Sequence, residues 1–334
     1  MNRKDDHITE ALKQATLTND FDRVRFVPDA LASVDVKAVD MRVQAFGRTF
    51  SSPLYINAMS GGSHRSKEVN IQLAKLAKAC DLPMATGSVS AALKDAQWQD
   101  SFRVVRQQHP DGFIFANVGL SQSVEGALKA VHLLEANALQ IHLNAPQEIT
   151  MPEGDRDFHH WPERLKTIIE HASVPVIVKE VGFGMSQTTF KRLKGLGATT
   201  VDVSGRGGTN FIQIENARRT TPLTAFETHG FSTVESLLEG RNSGLTLWAS
   251  GGIRHAYDVV KAIALGAQMV GMSGYFLKLI HAVPLEEAIL TVNTLKRDIQ
   301  SICAILNVKT LSELTQIPLI FDAHLHHFIA QRHP

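Results

Sequence analysis

Cysteine is nearly missing from this chain: Cys80 and Cys303 are the two thiols in 334 residues. Two thiols are too few for a disulfide framework or a cysteine-based zinc site. An excess of one charge is missing as well, since 34 Lys and Arg face 33 Asp and Glu, for a formal net charge of +1. Nothing in that balance supplies the clustered basic face that non-specific nucleic-acid binding needs. No run approaches the ~20 apolar residues that cross a bilayer. The charged start, Met1 to His7, has no apolar segment behind it, so no secretory signal is expected. Low-complexity tracts and linkers are absent, and 44% hydrophobic against 20% charged residues excludes a disordered class. The expectation is a globular protein of the cytoplasm, long enough for one large domain or two small ones.

What the chain does have is a recurrence of short apolar runs that end in polar or small residues. They are Leu54–Ala58, Pro83–Gly87, Phe113–Asn117, Leu139–Asn144, Val176–Glu180, Thr200–Ser204, Leu245–Gly251 and Met269–Ser273. Runs of this length read as parallel strands buried on both faces. Helical patterns fill the gaps. Val69, Leu73, Leu76 and Cys80 form one apolar stripe, and Phe190, Leu193 and Leu196 another, with Ser186 as its N-cap. Ser232 and Glu235 have capping-box spacing ahead of Leu237 and Leu238. Eight strand–helix alternations in ~250 residues predict an α/β TIM barrel. A doubly wound sheet competes, but its glycine fingerprint is missing after the first strand. The expected layout is a single domain: an N-terminal extension or flap at 1–50, the barrel at 51–283 and closing helices at 284–334.

A TIM barrel builds its active site where the strands end, so the polar residues at those ends are the candidates. They are dense: Asn57, Ser60, Thr86, Ser88, Asn117, His142, Asn144, Gln147, Glu148, Lys179, Glu180 and Ser204. Two glycine-rich segments, Ala249–Arg254 and Gly271–Gly274, follow the seventh and eighth runs. Each alone could be a tight turn; the two in register favour a phosphate cradle, where backbone N–H groups approach an anion. Lys179 either snorkels or faces an electron-rich cofactor ring, with Glu180 as a candidate salt-bridge partner. Gln147 can hydrogen-bond without charge and Glu148 can ligate Mg²⁺, against a plainer reading as an acidic surface loop. Arg3 and Lys4 are either a solvated terminus or, folded over the mouth, a diphosphate clamp. His159–Trp161 reads as a helix start. His324, His326 and His327 read as surface or interface packing.

Several of these segments together resemble a known family. Arg3–Ile8, Tyr55–Ser63, Gln140–Glu148, Val178–Gly184, Asp202–Phe211 and Ala249–Arg254 are similar, in order and over nearly the whole chain, to signatures of type 2 isopentenyl-diphosphate isomerases. The resemblance implies an FMN-dependent, Mg²⁺-requiring isomerase that interconverts isopentenyl and dimethylallyl diphosphate by a 1,3-proton shift. Reduced FMN would act there as an acid–base group, with NADPH as its reductant, in a cytoplasmic homotetramer or homooctamer. Carried onto this sequence, the flavin ring lies over Ala58, Met59 and Ser60, and Ser88, Asn117 and Lys179 bond its edge. Ser204 and Thr209 reach the ribityl chain and phosphate, which Gly251, Gly252, Ser273 and Gly274 enclose. Gln147 is the catalytic candidate beside the isoprenyl carbons. Glu148 holds Mg²⁺ against a diphosphate bound by Arg3, Lys4, His142 and Asn144. Two departures from the family's pattern stand out: Val89-Ser90 stands where Gln-Arg is common, removing one cation, and Ser60 replaces a common threonine.

Two other classes compete. An FMN-dependent 2-hydroxy-acid oxidase shares the lysine of the fifth strand and the late glycines, but needs a histidine–arginine pair after the sixth strand. Here that segment reads Ser204-Gly205-Arg206-Gly207-Gly208-Thr209, and the general base is missing. A non-enzymatic flavin-binding protein would not need Gln147, Glu148 and the basic N-terminus together.

Overall fold

The computed structural model describes residues 3–14, 19–59 and 61–332. All eight apolar runs become strands of one closed parallel barrel. In chain order these are Leu54–Ile56, Met84–Ala85, Ile114–Gly119, Ala138–His142, Val176–Lys179, Thr200–Asp202, Thr246–Ser250 and Ala267–Met272, the last pairing back to the first. The expected TIM barrel is therefore the observed fold.

Side chains fill the barrel. Tyr55, Phe115 and Trp248 are fully buried and mutually packed, with ring centroids 5.1–5.8 Å apart. An antiparallel hairpin, Val43–Ala45 with Arg48–Phe50, carries Phe46 at its turn against Phe113 and Trp248. Phe113 immediately precedes the third strand, so the hairpin plugs the end of the barrel where strands begin. Polar residues gather at the other end.

The helix signals hold in detail. Helix His64–Ala79 buries Val69, Leu73 and Leu76, and Cys80 closes it as a buried C-cap. Ser186 caps Gln187–Gly195 by accepting from the Thr189 N–H, and Ser232 and Glu235 form the expected reciprocal capping box. His160 is the N-cap of Trp161–His171. The described residues ahead of the barrel serve both of its ends, with the helix Arg3–Lys13 at the mouth and the hairpin at the floor. Strand Val24–Phe26 pairs antiparallel with Leu319–Phe321, tying the two terminal regions together. The long helix Leu285–Ile305 packs on helices His64–Ala79 and Ala256–Ala264. His324 belongs to the final helix, Ala323–Arg332, with its ring more than half exposed.

Candidate active site

A cavity of about 610 Å³ opens at the ends of the strands. Of the sequence-predicted residues, Lys4, Ala58, Met59, Ser88, Asn117, His142, Asn144, Gln147, Glu148, Lys179, Ser204, Thr209, Gly251, Gly252, Ser273 and Gly274 all line it. The Arg3 side chain and Ser60 lie outside the described residues. Positions as far apart in the chain as Lys4 and Gly274 converge because each sits at, or just beyond, a strand end or on the first helix.

That first helix, Arg3–Lys13, is fastened over the mouth. Ser63 donates its hydroxyl to Asp5 at 2.6 Å, Arg65 donates to the Thr9 hydroxyl at 2.6 Å, and Lys278 donates to the Gln14 carbonyl at 2.7 Å. The Gln14 amide exchanges two hydrogen bonds with the Asn210 backbone, at 2.9 and 3.0 Å. The basic N-terminus is therefore folded onto the site, and Lys4 faces the cavity.

The segment whose plainer reading is an acidic surface loop forms a short helix, Ala145–Thr150, that turns Gln147 and Glu148 inward and buries both. Pro146 in its first turn fits, because an N–H there has no intrahelical partner to lose. Gln147 Nε2 donates to Glu215 at 3.0 Å, and Asn144 Nδ2 lies 3.3 Å from Gln147 Oε1. Glu148 accepts from Asn144 at 2.9 Å through one oxygen and from the Asp155 N–H at 2.9 Å through the other. Both donors are neutral, so neither cancels the charge, and each oxygen keeps a lone pair for a cation such as Mg²⁺.

Sequence reasoning missed Glu215. It sits in helix Phe211–Asn216, fully buried, accepting from Gln147 and Arg218, with His7 Nε2 3.0 Å from one of its oxygens. Burial works against its charge, but the bonds from His7, Gln147 and Arg218 more than reverse this and hold it at about 2. The contacts that place this buried carboxylate in the site carry no local sequence signal, because Gln147 and His7 are 68 and 208 residues away; only Arg218 is a near neighbour in the chain.

At the fifth strand, Lys179 is buried and donates to the Glu180 carbonyl at 2.6 Å. Burial lowers its pKa, with Asp202 and Glu180 opposing. Glu180 is not its hydrogen-bonded salt-bridge partner. One Glu180 oxygen instead accepts the backbone N–H groups of Val181, Gly182 and Phe183, ordering the loop after the strand. Burial still pushes that carboxyl up to about 8 against those three bonds. Ser204 takes a positive φ of 35°, a strained conformation for a non-glycine residue, at the end of the sixth strand.

The glycine segments form the tightest wall. Gly251 and Gly252 have φ of 93° and 75°, and a Cβ on Gly251 would stand 2.1 Å from the Gly205 carbonyl oxygen. Only glycine lets the two loops meet. Helix Gly274–Ala282 begins at the cavity, and the Ser273 side chain makes no capping hydrogen bond to its first turn. Thr209 reaches this corner, with its hydroxyl oxygen 3.5 Å from where a Gly274 Cβ would stand. Positive-φ backbone and an open helix N-terminus together suit a phosphate.

The model of the family described as FMN-dependent dehydrogenase matches residues 6–107 and 115–320. Isopentenyl-diphosphate delta-isomerase of Latilactobacillus sakei is 45% identical over 99% of this chain and 96% of its own length. The enzyme of the same name from Staphylococcus aureus strain JH9 is 42% identical over the same shares. This chain belongs to the FMN-dependent isopentenyl-diphosphate delta-isomerases. Among solved structures, a flavocytochrome b2 mutant with benzoylformate superposes with a TM-score of 0.70 at 17% identity, covering 95% of this chain and 82% of that one. A mandelate oxidase mutant with benzaldehyde gives 0.64 at 17% identity over 95% and 90%. At that identity the likeness is one of fold.

FMN fits the residues present in this member of the isomerase family. The glycine corner and helix N-terminus suit its phosphate, and Lys179 is a desolvated cation suited to an anionic ring. Among the described residues, no helix is long and apolar enough to cross a membrane.

Proposed function

We propose that this protein interconverts isopentenyl and dimethylallyl diphosphate by a 1,3-proton shift, acting as one domain with its first helix as the lid of the site. The observation that carries this reading is the meeting of Gln147, Glu148 and Lys4 with Lys179 and the glycine corner in one cavity. An oxidase would need a histidine after the sixth strand, where the sequence has Ser204-Gly205-Arg206.

In the reaction a proton adds to the terminal methylene carbon of isopentenyl diphosphate. Another leaves the carbon next to the one bearing the diphosphate, so no net oxidation occurs. Reduced FMN, when bound, supplies the acid–base nitrogens for this exchange. Ala58, Met59 and the adjoining Ser60 would lie against the ring, with Ser88 and Asn117 at its edge and Lys179 balancing its negative charge. Ser204 and Thr209 would bond the ribityl chain and phosphate, with Gly251, Gly252, Ser273 and Gly274 around the latter. Gln147, held by Glu215, would position or relay the proton at the isoprenyl carbons. A carbocation-like transition state would gain from the electron-rich ring beside it. Glu148 would hold Mg²⁺ against the diphosphate, which Arg3, Lys4, His142 and Asn144 bind. Lys94 also lines the cavity, four residues beyond Ser90, and would supply the cation missing from the Val89-Ser90 segment. NADPH is the proposed reductant, the cytoplasm the proposed location and a homotetramer or homooctamer the proposed assembly.

The test is isotope exchange. Isopentenyl diphosphate, FMN, Mg²⁺ and protein are incubated in D₂O with and without prior flavin reduction. Deuterium in the allylic product only after reduction is the expected result, and its absence in both arms would defeat the reading.

A further inference from the structure

We propose that Asp202 is a positioning residue that fixes the tautomer of His142 through a relay of three buried side-chain amides, Asn57, Gln140 and Asn117. Asp202 closes the sixth strand with no exposed surface. Its carboxylate accepts from the Tyr55 hydroxyl at 2.7 Å, Asn57 Nδ2 at 2.9 Å, the Ser250 hydroxyl at 2.8 Å and the Ser204 N–H at 3.1 Å. Burial and the neighbouring carboxylate raise the Tyr55 pKa well above its ordinary value, so that hydroxyl keeps its proton and donates.

An amide's two ends are set by what it meets, and Asn57 meets two partners that cannot change role. Its Nδ2 faces the carboxylate, which only accepts, and its Oδ1 takes the Ala58 N–H at 2.8 Å, which only donates. With Asn57 fixed, its Oδ1 also accepts from Gln140 Nε2 at 3.2 Å. Gln140 Oε1 then accepts from Asn117 Nδ2 at 3.0 Å. Asn117 Oδ1 is left facing His142 Nδ1 at 2.9 Å. Reversing Gln140 alone would set two acceptors against each other at one end and two donors at the other. Reversing the whole relay would press Asn57 Oδ1 against the carboxylate and its NH₂ group against the Ala58 N–H. One orientation survives, and in it His142 Nδ1 must carry the proton.

Burial among the strands, with the Lys179 and Lys4 ammoniums nearby, pushes His142 down to about 3, so the ring is neutral and holds one proton. That proton is committed to Asn117, which leaves Nε2 as a lone pair. The strands explain why the relay closes: Gln140 and His142, two residues apart, share one face of the fourth strand, and Asn117 is in register with Gln140.

The consequence for chemistry rests on the diphosphate reading above. His142 then meets the substrate end of the cavity as a hydrogen-bond acceptor. Its partner is a group that carries a proton, a water on the bound cation or a protonated phosphate oxygen, and not a bare phosphate oxygen.

The test is ¹⁵N-histidine NMR of the FMN-loaded protein without substrate, with the His142 signal assigned by its loss in His142→Gln. The native protein should show Nδ1 protonated and Nε2 bare. Asp202→Asn removes one of the two groups that orient Asn57, leaving the Ala58 N–H alone to do so, and should bring in a population protonated at Nε2. Gln140→Leu cuts the relay in its middle and should do the same, answering the question if Asp202→Asn does not fold or retain FMN. Tyr55→Phe leaves the carboxylate in place and should leave His142 unchanged. An Nε2-protonated ring in the native protein would overturn the proposal. So would an unchanged ring in both Asp202→Asn and Gln140→Leu, or a tautomer shift in Tyr55→Phe. Because no substrate is present, failure of the isotope-exchange assay would leave this result standing, and the reverse holds too.

Discussion

His7 Nε2 lies 3.0 Å from Glu215 Oε1, the same oxygen that accepts Gln147 Nε2 at 3.0 Å. One carboxylate thus joins the N-terminal helix to the amide at the centre of the cavity. Glu215 is held at about 2, below its ordinary 4.5, by the bonds from His7, Gln147 and Arg218 acting against burial. A carboxyl lowered in the folded protein contributes stability above its unfolded value and loses it as pH falls through the folded one. Thermal melts of the native protein should therefore fall between about pH 4.5 and 2. In Glu215→Gln that acid-dependent part should shrink; an unchanged pH profile would remove Glu215 from the account.

Gln147→Asn shortens the side chain by one methylene and draws its amide away from Glu215. A misplaced proton-relay or positioning group costs on the order of 10²-fold in turnover. The expected result is a kcat lowered by at least that much, with FMN absorbance and affinity retained because no flavin contact is touched. Near-native turnover would show that the Glu215–Gln147 bond serves packing alone.

The barrel was legible in the sequence because strands covered on both faces read as unbroken apolar runs, and all eight did. Local chemistry was legible for the same kind of reason: Ser186, Ser232 and Glu235 act on N–H groups three residues away, within reach of a spacing rule. The candidate residues around the cavity followed from their places at strand ends. What escaped was pairing across the barrel. Asp202 reads as one polar residue in a strand, yet it collects donors from 145 and 147 residues away. The helix of Gln147 and Glu148 reads as a loop because six residues are too few to show a period, although Pro146 was the available signal.

Glu148 keeps its place through neutral donors, Asn144 and the Asp155 N–H. Glu148→Gln preserves the shape but replaces one acceptor oxygen with a donor NH₂ and removes the charge that draws a hard cation. The half-saturating Mg²⁺ concentration for turnover should rise about tenfold or more, and excess Mg²⁺ should restore part of the lost rate. An unchanged Mg²⁺ titration would assign the cation to other oxygens.

Lys179 stands between His142 and Asp202 in strand register, buried, with its ammonium on the Glu180 carbonyl. A cation kept out of water at the cavity wall is costly unless negative charge arrives beside it. Lys179→Ala removes that match, so the reduced, anionic form of the flavin should lose more than the oxidised form. The FMN potential should drop by on the order of tens of millivolts, since an ion pair near ~4 Å at intermediate dielectric amounts to a few kcal/mol. Redox titration against a dye of known potential reads this directly, without substrate. Arg in place of Lys should recover less than full activity, because the planar guanidinium cannot occupy the point-like site at the strand end. A potential unchanged in Lys179→Ala would mean that the lysine does not face the ring, and its charge would then belong to the buried network around Asp202.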